Sequence, residues 1–258
     1  MTVIAKNTTQ EIHQAVDLIR SGKYGVVLSG AGISTASGIP DFRSAATGLW
    51  RRYDPFEVAS LASFRYHPEK FFNWMRPLAI EIYKAQPNPA HHAIALLEKA
   101  GYIQHVITQN IDGLHQRAGS KNVIEVHGTL QTMTCIACFR QQKSQGHVES
   151  YLDAGEIPRC PYCKNILKPD IILFGEQLPV KAWQQANEAV KKCDFIIVVG
   201  SSLEVLPVAS LPMRALESGA HLIIINNSQT YLDLRADVVF LTDVAVILPA
   251  IANEVLVQ

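Results

Sequence analysis

Residues 24–34 read Tyr24-Gly-Val-Val-Leu-Ser29 and then Gly30-Ala31-Gly32-Ile33-Ser34. The first half is an apolar run suited to a buried strand, and it runs straight into a glycine-rich turn. Glycines let the backbone approach a pyrophosphate, and a following helix aims its amides at it. Taken alone the turn is weak evidence. Thr35 stands where the third glycine of GxGxxG belongs, and no acidic residue closes a second strand about 20 residues on. A tight turn with no function would look the same.

The surrounding pattern gives the turn its context. Thr8-x-x-Glu11 reads as a capping box, followed by Ile12, Ala15, Val16 and Ile19 at helical spacing, and Ser21-Gly22 ends that helix. Pro68 opens a helix carrying Phe71, Phe72 and Met75, while Asn88-Pro89 caps another that Gly101 closes. Further strands are expected at Tyr102–Thr108, Val123–Val126, Asp170–Phe174, Asp194–Val199, His221–Asn226 and Val238–Leu241. They are continuous apolar runs, as in a parallel sheet buried on both faces. Helical stretches at Pro179–Lys192 and Val205–Ser218 fall between them. The alternation predicts an α/β fold with a Rossmann-like, doubly wound parallel sheet. Two stretches break the rhythm: a helical insertion at about 40–90, and residues 129–168, which hold four of the five cysteines. The expected division is a nucleotide-binding domain of residues 1–128 and 169–258 around a small zinc-binding domain of residues 129–168.

Composition narrows the partners. The chain has 258 residues, with 23 Lys and Arg against 23 Asp and Glu, and 48% of it is apolar. That excludes disorder, and it leaves no basic excess for bulk nucleic-acid binding. No signal peptide, membrane-length apolar run or lipidation motif is evident, so a cytoplasmic, reducing location is expected, with no membrane partner. There paired cysteines favour metal or catalytic chemistry over disulfides. Cys135-x-x-Cys138 and Cys160-x-x-Cys163, with 21 residues between the pairs, form a strong zinc signature. Four thiolates close the tetrahedron and leave no position for substrate, so the expected role of the ion is structural. A thioredoxin-type pair would sit at a strand-to-helix turn, which this quartet does not. Cys193 reads as a small core hydrophobe.

The block Gly30-Ala-Gly-Ile-Ser-Thr-Ala-Ser-Gly-Ile-Pro-Asp-Phe-Arg43 resembles the signature of the sirtuins, the NAD-dependent protein lysine deacylases. The resemblance continues, in family order, through Thr108-Gln-Asn-Ile-Asp-Gly-Leu-His115, His127-Gly-Thr129, the cysteine quartet, Lys168-Pro-Asp-Ile-Ile-Leu-Phe-Gly-Glu176 and Gly200-Ser-Ser-Leu203. It spans about residues 10–255. Thr129 stands where serine is commoner, and the near absence of terminal extensions suggests a compact bacterial-type enzyme.

The resemblance implies NAD as co-substrate and zinc as a structural ion held by Cys135, Cys138, Cys160 and Cys163. It places Gly30, Ala31 and Gly32 at the NAD phosphates, and Asp41, Phe42 and Arg43 on a loop that closes over the cofactor. Gln109, Asn110, Ile111 and Asp112 fall at the nicotinamide and ribose pocket. Gly200, Ser201 and Ser202 match the second nucleotide loop, Asn226 and Asn227 the adenosine ribose contact, and Val244 the loop at the adenine. His127 is the implied general base, a role that suits a side chain whose pKa lies near working pH. Asn110 and Asp112 would orient the ribose and departing amide while the acyl oxygen attacks C1′, in a transition state like that of glycoside cleavage. The implied products are deacylated lysine, nicotinamide and O-acyl-ADP-ribose.

Blind to this context, His127 is one of nine histidines, Asp112 a helix cap, Arg43 a solvated charge, and Trp50, Trp74 and Trp183 core or interface aromatics. An acylated lysine peptide is expected to pair as a strand between Ile172, Leu173, Phe174 and Gly175 on one side and Leu203, Glu204, Val205 and Leu206 on the other. Family members that take succinyl or malonyl groups carry a Tyr-x-x-Arg pair, whose arginine matches the acyl carboxylate. Counted from Pro68-Glu69, those positions are Met75 and Leu78, so apolar acyl groups are expected, unless Arg76, one residue away, reaches the pocket. The rival activities are NAD-dependent protein ADP-ribosylation, non-enzymatic nucleotide binding, and a nicotinamide dehydrogenase. A monomer is plausible.

Overall fold

The computed structural model describes residues 6–42 and 48–257. The helices are α1 (Lys6–Ser21), α2 (Pro55–Val58), α3 (Leu61–Tyr66), α4 (Pro68–Lys84), α5 (Pro89–Lys99), α6 (Leu114–Ala118), α7 (Gln145–Ala154), α8 (Val180–Lys192), α9 (Leu211–Glu217) and α10 (Val244–Leu256). The strands are β1 (Gly25–Ser29), β2 (Ile103–Thr108), β3 (Val123–Glu125), β4 (Gly128–Cys135), β5 (Gln141–Lys143), β6 (Leu167–Ile171), β7 (Phe195–Val199), β8 (His221–Asn226) and β9 (Val238–Leu241). Helix α1 starts at Lys6, before the expected cap at Thr8, whose side chain lies outside the described residues.

Six parallel strands form the main sheet in the order β3-β2-β1-β7-β8-β9. This is the doubly wound order, with the direction of winding reversing between β1 and β7. The unbroken apolar runs are explained by burial on both faces. Val27, Ile197, Val199, Ile223 and Ile225 face α1, α5 and α10. Their neighbours Val26, Leu28, Ile196, Val198 and Ile224 face α8 and α9. A side chain of this size contributes about 1.5–3 kcal/mol on full burial, so a one-residue slip would exchange the two faces wholesale. Cys193 is buried in the second layer, donating to the Val190 carbonyl, and burial pushes its thiol up to about 12.

One strand differs from expectation. Asp170–Phe174 does not join the main sheet; β6 (Leu167–Ile171) pairs antiparallel with β4 in a three-stranded sheet β5-β4-β6. The run is apolar because Ile171 and Leu173 pack against the insertion helices, beside Phe64, Phe71 and Met75. Val205–Ser218 also divides, into a 3-10 turn at Val208–Ser210 and α9. The insertion itself is the helical layer α2–α4. Helix α7 docks on it: the Tyr151 hydroxyl donates to the Phe72 carbonyl at 2.6 Å, and Arg76 reaches the carbonyls of Leu152 and Asp153.

Candidate active site and metal centre

The strand ends at the β1/β7 reversal form the floor of the site. Gly30 leaves β1 and its amide bonds to the Val199 carbonyl, while the Gly32 amide bonds to the Gly200 carbonyl at 2.8 Å. The two loops touch so closely that a Cβ on Gly32 would sit 2.8 Å from the Gly200 Cα. Gly200 itself has φ +58°, and its Cβ would fall 2.2 Å from the Ile33 nitrogen. Glycine is therefore required where the two expected nucleotide loops meet.

Above them a polar ring is tied together. The Ser34 hydroxyl donates to Asp112 Oδ2 at 2.7 Å, and the Asn110 amide donates to the Gly30 carbonyl and to Ser34 Oγ. Gln109 donates to Ser201 Oγ at 2.9 Å, joining the second loop. Asp112 also accepts from the Leu114 amide at the start of α6, whose N-cap residue is Gly113. Burial raises the Asp112 carboxyl despite these donors. His127, in the turn between β3 and β4 and half-buried, places Nδ1 3.2 Å from the Gln109 carbonyl. A carbonyl only accepts, so Nδ1 carries the proton and Nε2 is the basic nitrogen of the neutral ring.

His127, Gln109, Asn110, Ile111 and Asp112 line one cavity of about 690 Å³, together with Ala31, Phe42, Ile172–Gly175 and Val205. Met75 and Leu78 are in its wall, at the register counted from Pro68. Arg76 points instead at α7. Other expected positions lie apart from this cavity. Asn226 ends β8 and is buried, its amide donating to the Ser228 carbonyl, while Asn227 is exposed. Val244 turns its side chain into the core, and Leu203 is buried while Glu204 is exposed. Gly30, Gly32, Gly200, Ser201 and Ser202 lie on the strand-end loops, and Asp41 is half-buried. Arg43 lies outside the described residues.

Several contributors were not anticipated. Ser34 bridges Asn110 and Asp112, and its place inside the Gly30–Arg43 block was the available signal. Trp50 and Trp74, which read as ordinary core aromatics, stack at 5.5 Å and line the cavity, with Phe42 5.1 Å and Phe174 5.9 Å from Trp50. Phe174 contributes its ring rather than its backbone, since its amide and carbonyl already bond to Ala59 and Leu61.

The four cysteines converge. Their sulfurs all lie within 4.8 Å of one another, with Cys135–Cys163 at 3.4 Å and Cys138–Cys160 at 3.7 Å. A tetrahedron with Zn–S bonds of about 2.3 Å has edges of about 3.8 Å, so the donor set fits zinc. Each Cys-x-x-Cys turn is followed by a left-handed residue, Phe139 (φ 58°) and Lys164 (φ 63°), whose amides return to the carbonyls of Cys135 and Cys160. Backbone amides from Cys138 and Cys163 favour the thiolates of Cys135 and Cys160. The buried core here is only Met133, Cys135, Cys160 and Leu167. So small a core relies on the ion.

A doubly wound sheet with glycine loops at its reversal, a cavity beside them that joins a polar ring to an apolar wall, and an inserted four-cysteine module define a Rossmann-type nucleotide-binding protein with a structural zinc site. The Sir2 family pattern matches residues 30–207, more than half of the chain. The chain belongs to the Sir2 family. It is 45% identical over 246 residues to NAD-dependent protein deacylase 2 of Archaeoglobus fulgidus, covering 95% of this chain and 96% of that protein. A solved Sir2 enzyme superposes with TM-score 0.89 at 45% identity, covering 95% of this chain and 98% of the other. Sir2Af2 bound to a myristoylated histone peptide superposes with TM-score 0.83 at 39% identity, covering 96% and 97%.

Proposed function

We propose that the protein is an NAD-dependent protein lysine deacylase that removes apolar acyl groups from lysine side chains. The observation that carries this is a single cavity. It brings His127, whose Nδ1 lies 3.2 Å from the Gln109 carbonyl, beside Asn110 and Asp112 and an apolar wall containing Met75 and Leu78. In this reading the Gly30–Gly32 and Gly200–Ser202 loops receive the NAD phosphates. Asn110 and Asp112 orient the nicotinamide ribose, and His127 Nε2 takes the proton of the ribose hydroxyl that attacks the acyl group. Nicotinamide, free lysine and O-acyl-ADP-ribose leave. The apolar wall agrees with the myristoylated peptide that a relative of this size binds. Among the described residues no helix is long and apolar enough to cross a membrane. A cysteine quartet that holds a metal instead of forming disulfides suits the reducing cytoplasm, the compartment of this reading.

The test is mass spectrometry of the products formed from NAD and an acetyl-lysine peptide. The expected products are nicotinamide and O-acetyl-ADP-ribose. His127→Ala is expected to lower kcat by about 10²- to 10⁴-fold. ADP-ribose attached to protein in place of the free acylated product would overturn the reading.

A further inference from the structure

The Lys168–Glu176 pair lies outside the chemistry described so far, yet it encloses the segment that lines the acyl cavity. Lys168 Nζ is 3.0 Å from Glu176 Oε2, and both side chains are less than one-fifth exposed. The same ammonium donates to the Ile171 carbonyl at 2.8 Å and the Pro169 carbonyl at 3.2 Å, which uses all three of its N–H groups. Glu176 Oε2 also accepts the Leu173 amide at 2.8 Å, and the Glu176 amide returns to the Leu173 carbonyl. The turn between them passes through Gly175, at φ +85°. Other partners take the Ile172 amide, which bonds to the His127 carbonyl, and both backbone groups of Phe174. What remains without a partner among the described residues is the Ile172 carbonyl and the amide and carbonyl of Gly175. Those are the groups an extended peptide would pair with in strand addition.

We infer that Lys168 and Glu176 are positioning residues for the acyl-lysine peptide: together they hold residues 171–176 so that the Ile172 and Gly175 backbone presents a preformed edge. The inference rests on the deacylase reading. A preformed edge lowers the ordering cost of binding, so loosening it acts on the peptide and leaves the nucleotide loops, on other strand ends, unchanged. Charge-assisted hydrogen bonds are the stronger kind, so removing either charge is felt at the segment.

The experiment is steady-state kinetics of Lys168→Met and Glu176→Gln, which keep side-chain length, on the full protein. Alongside it, hydrogen exchange is measured at the Leu173 amide. The expected result is a KM for acetyl-lysine peptide raised about tenfold, equivalent to about 1.4 kcal/mol. KM for NAD stays within about twofold, and exchange at Leu173 is faster in both variants. An unchanged peptide KM, equal rises for NAD and peptide, or unfolding of both variants would overturn the inference. An unmodified protein that releases no nicotinamide would overturn the deacylase reading instead, and there Leu173 exchange still reports on the clamp.

Discussion

Replacing a butyryl group on the substrate lysine by succinyl keeps the chain length and exchanges a terminal methyl for a carboxylate. This site is expected to reject that exchange. Met75 is 2% and Leu78 6% exposed, and both face the 690 Å³ cavity. Its described lining contains no lysine or arginine, and the one ammonium behind it, Lys168, is already paired with Glu176. Arg76, the nearest cation in sequence, is engaged by the Leu152 and Asp153 carbonyls. Burying a carboxylate without a partner carries an effective penalty of several kcal/mol. At about 3 kcal/mol, with tenfold per 1.4 kcal/mol, kcat/KM for succinyl peptide falls about 100-fold or more below that for butyryl. In the other direction, each methylene seated against the wall contributes up to about 0.8 kcal/mol. Butyryl then gains up to about 15-fold in kcat/KM over acetyl, and the gain stops when the cavity is full. Nicotinamide release at subsaturating peptide, measured for acetyl, butyryl, myristoyl and succinyl substrates, gives the ratios directly. Leu78→Arg is expected to raise the succinyl-to-butyryl ratio. A succinyl kcat/KM equal to or above the butyryl value in the unmodified protein refutes the reasoning.

Cys135→Ser removes one of four thiolates from a module whose own hydrophobic cluster has four buried residues, two of them ligands. Structural zinc contributes about 10–16 kcal/mol of apparent binding free energy in small domains, so metal content per chain is expected to fall well below one and the melting temperature to drop by several degrees. Full metal content with an unchanged melt would contradict the structural assignment. Acid sensitivity should come in part from His91 and His115, whose rings are 5.0 Å apart and buried. Burial lowers them to about 4 and about 3, with His92 adding to the effect on His91 and His91 to the effect on His115. Their folded values lie below the unfolded one near 6.5, so the unfolded chain takes up the protons. Stability is full above pH 6.5 and is lost as pH falls toward 4, at up to about 1.4 kcal/mol per pH unit for each histidine. Urea midpoints between pH 8 and 5 should therefore decline less steeply for His115→Gln than for the parent; parallel slopes would remove the pair from the explanation.

The parts of this molecule legible in the sequence are those whose signal is local. Buried strands announce themselves as apolar runs because both faces of β1, β7 and β8 are covered. Asn88-Pro89 marks the start of α5 because the cap is a short-range hydrogen bond, here from the Ala90 amide. Met75 and Leu78 were countable from Pro68 because a helix holds its register. The strand at residues 170–174 was misplaced because an apolar run records burial and not the partner that buries it. Trp50 and Trp74 were read as core or interface aromatics for the same reason.

Sequence alone determined the doubly wound sheet, the four-cysteine ligand set and, through six ordered motifs, the family. Each is encoded in residue type and spacing along the chain. Tertiary structure decided what those motifs do together. It aims His127 Nδ1 at the Gln109 carbonyl, sets Ser34 between Asn110 and Asp112, turns Arg76 away from the cavity, and closes Lys168 on Glu176. Apart from that last pair, these contacts join residues from 18 to 78 positions apart. Hydrogen bonds act over about 3 Å, so only the folded chain brings those groups within range.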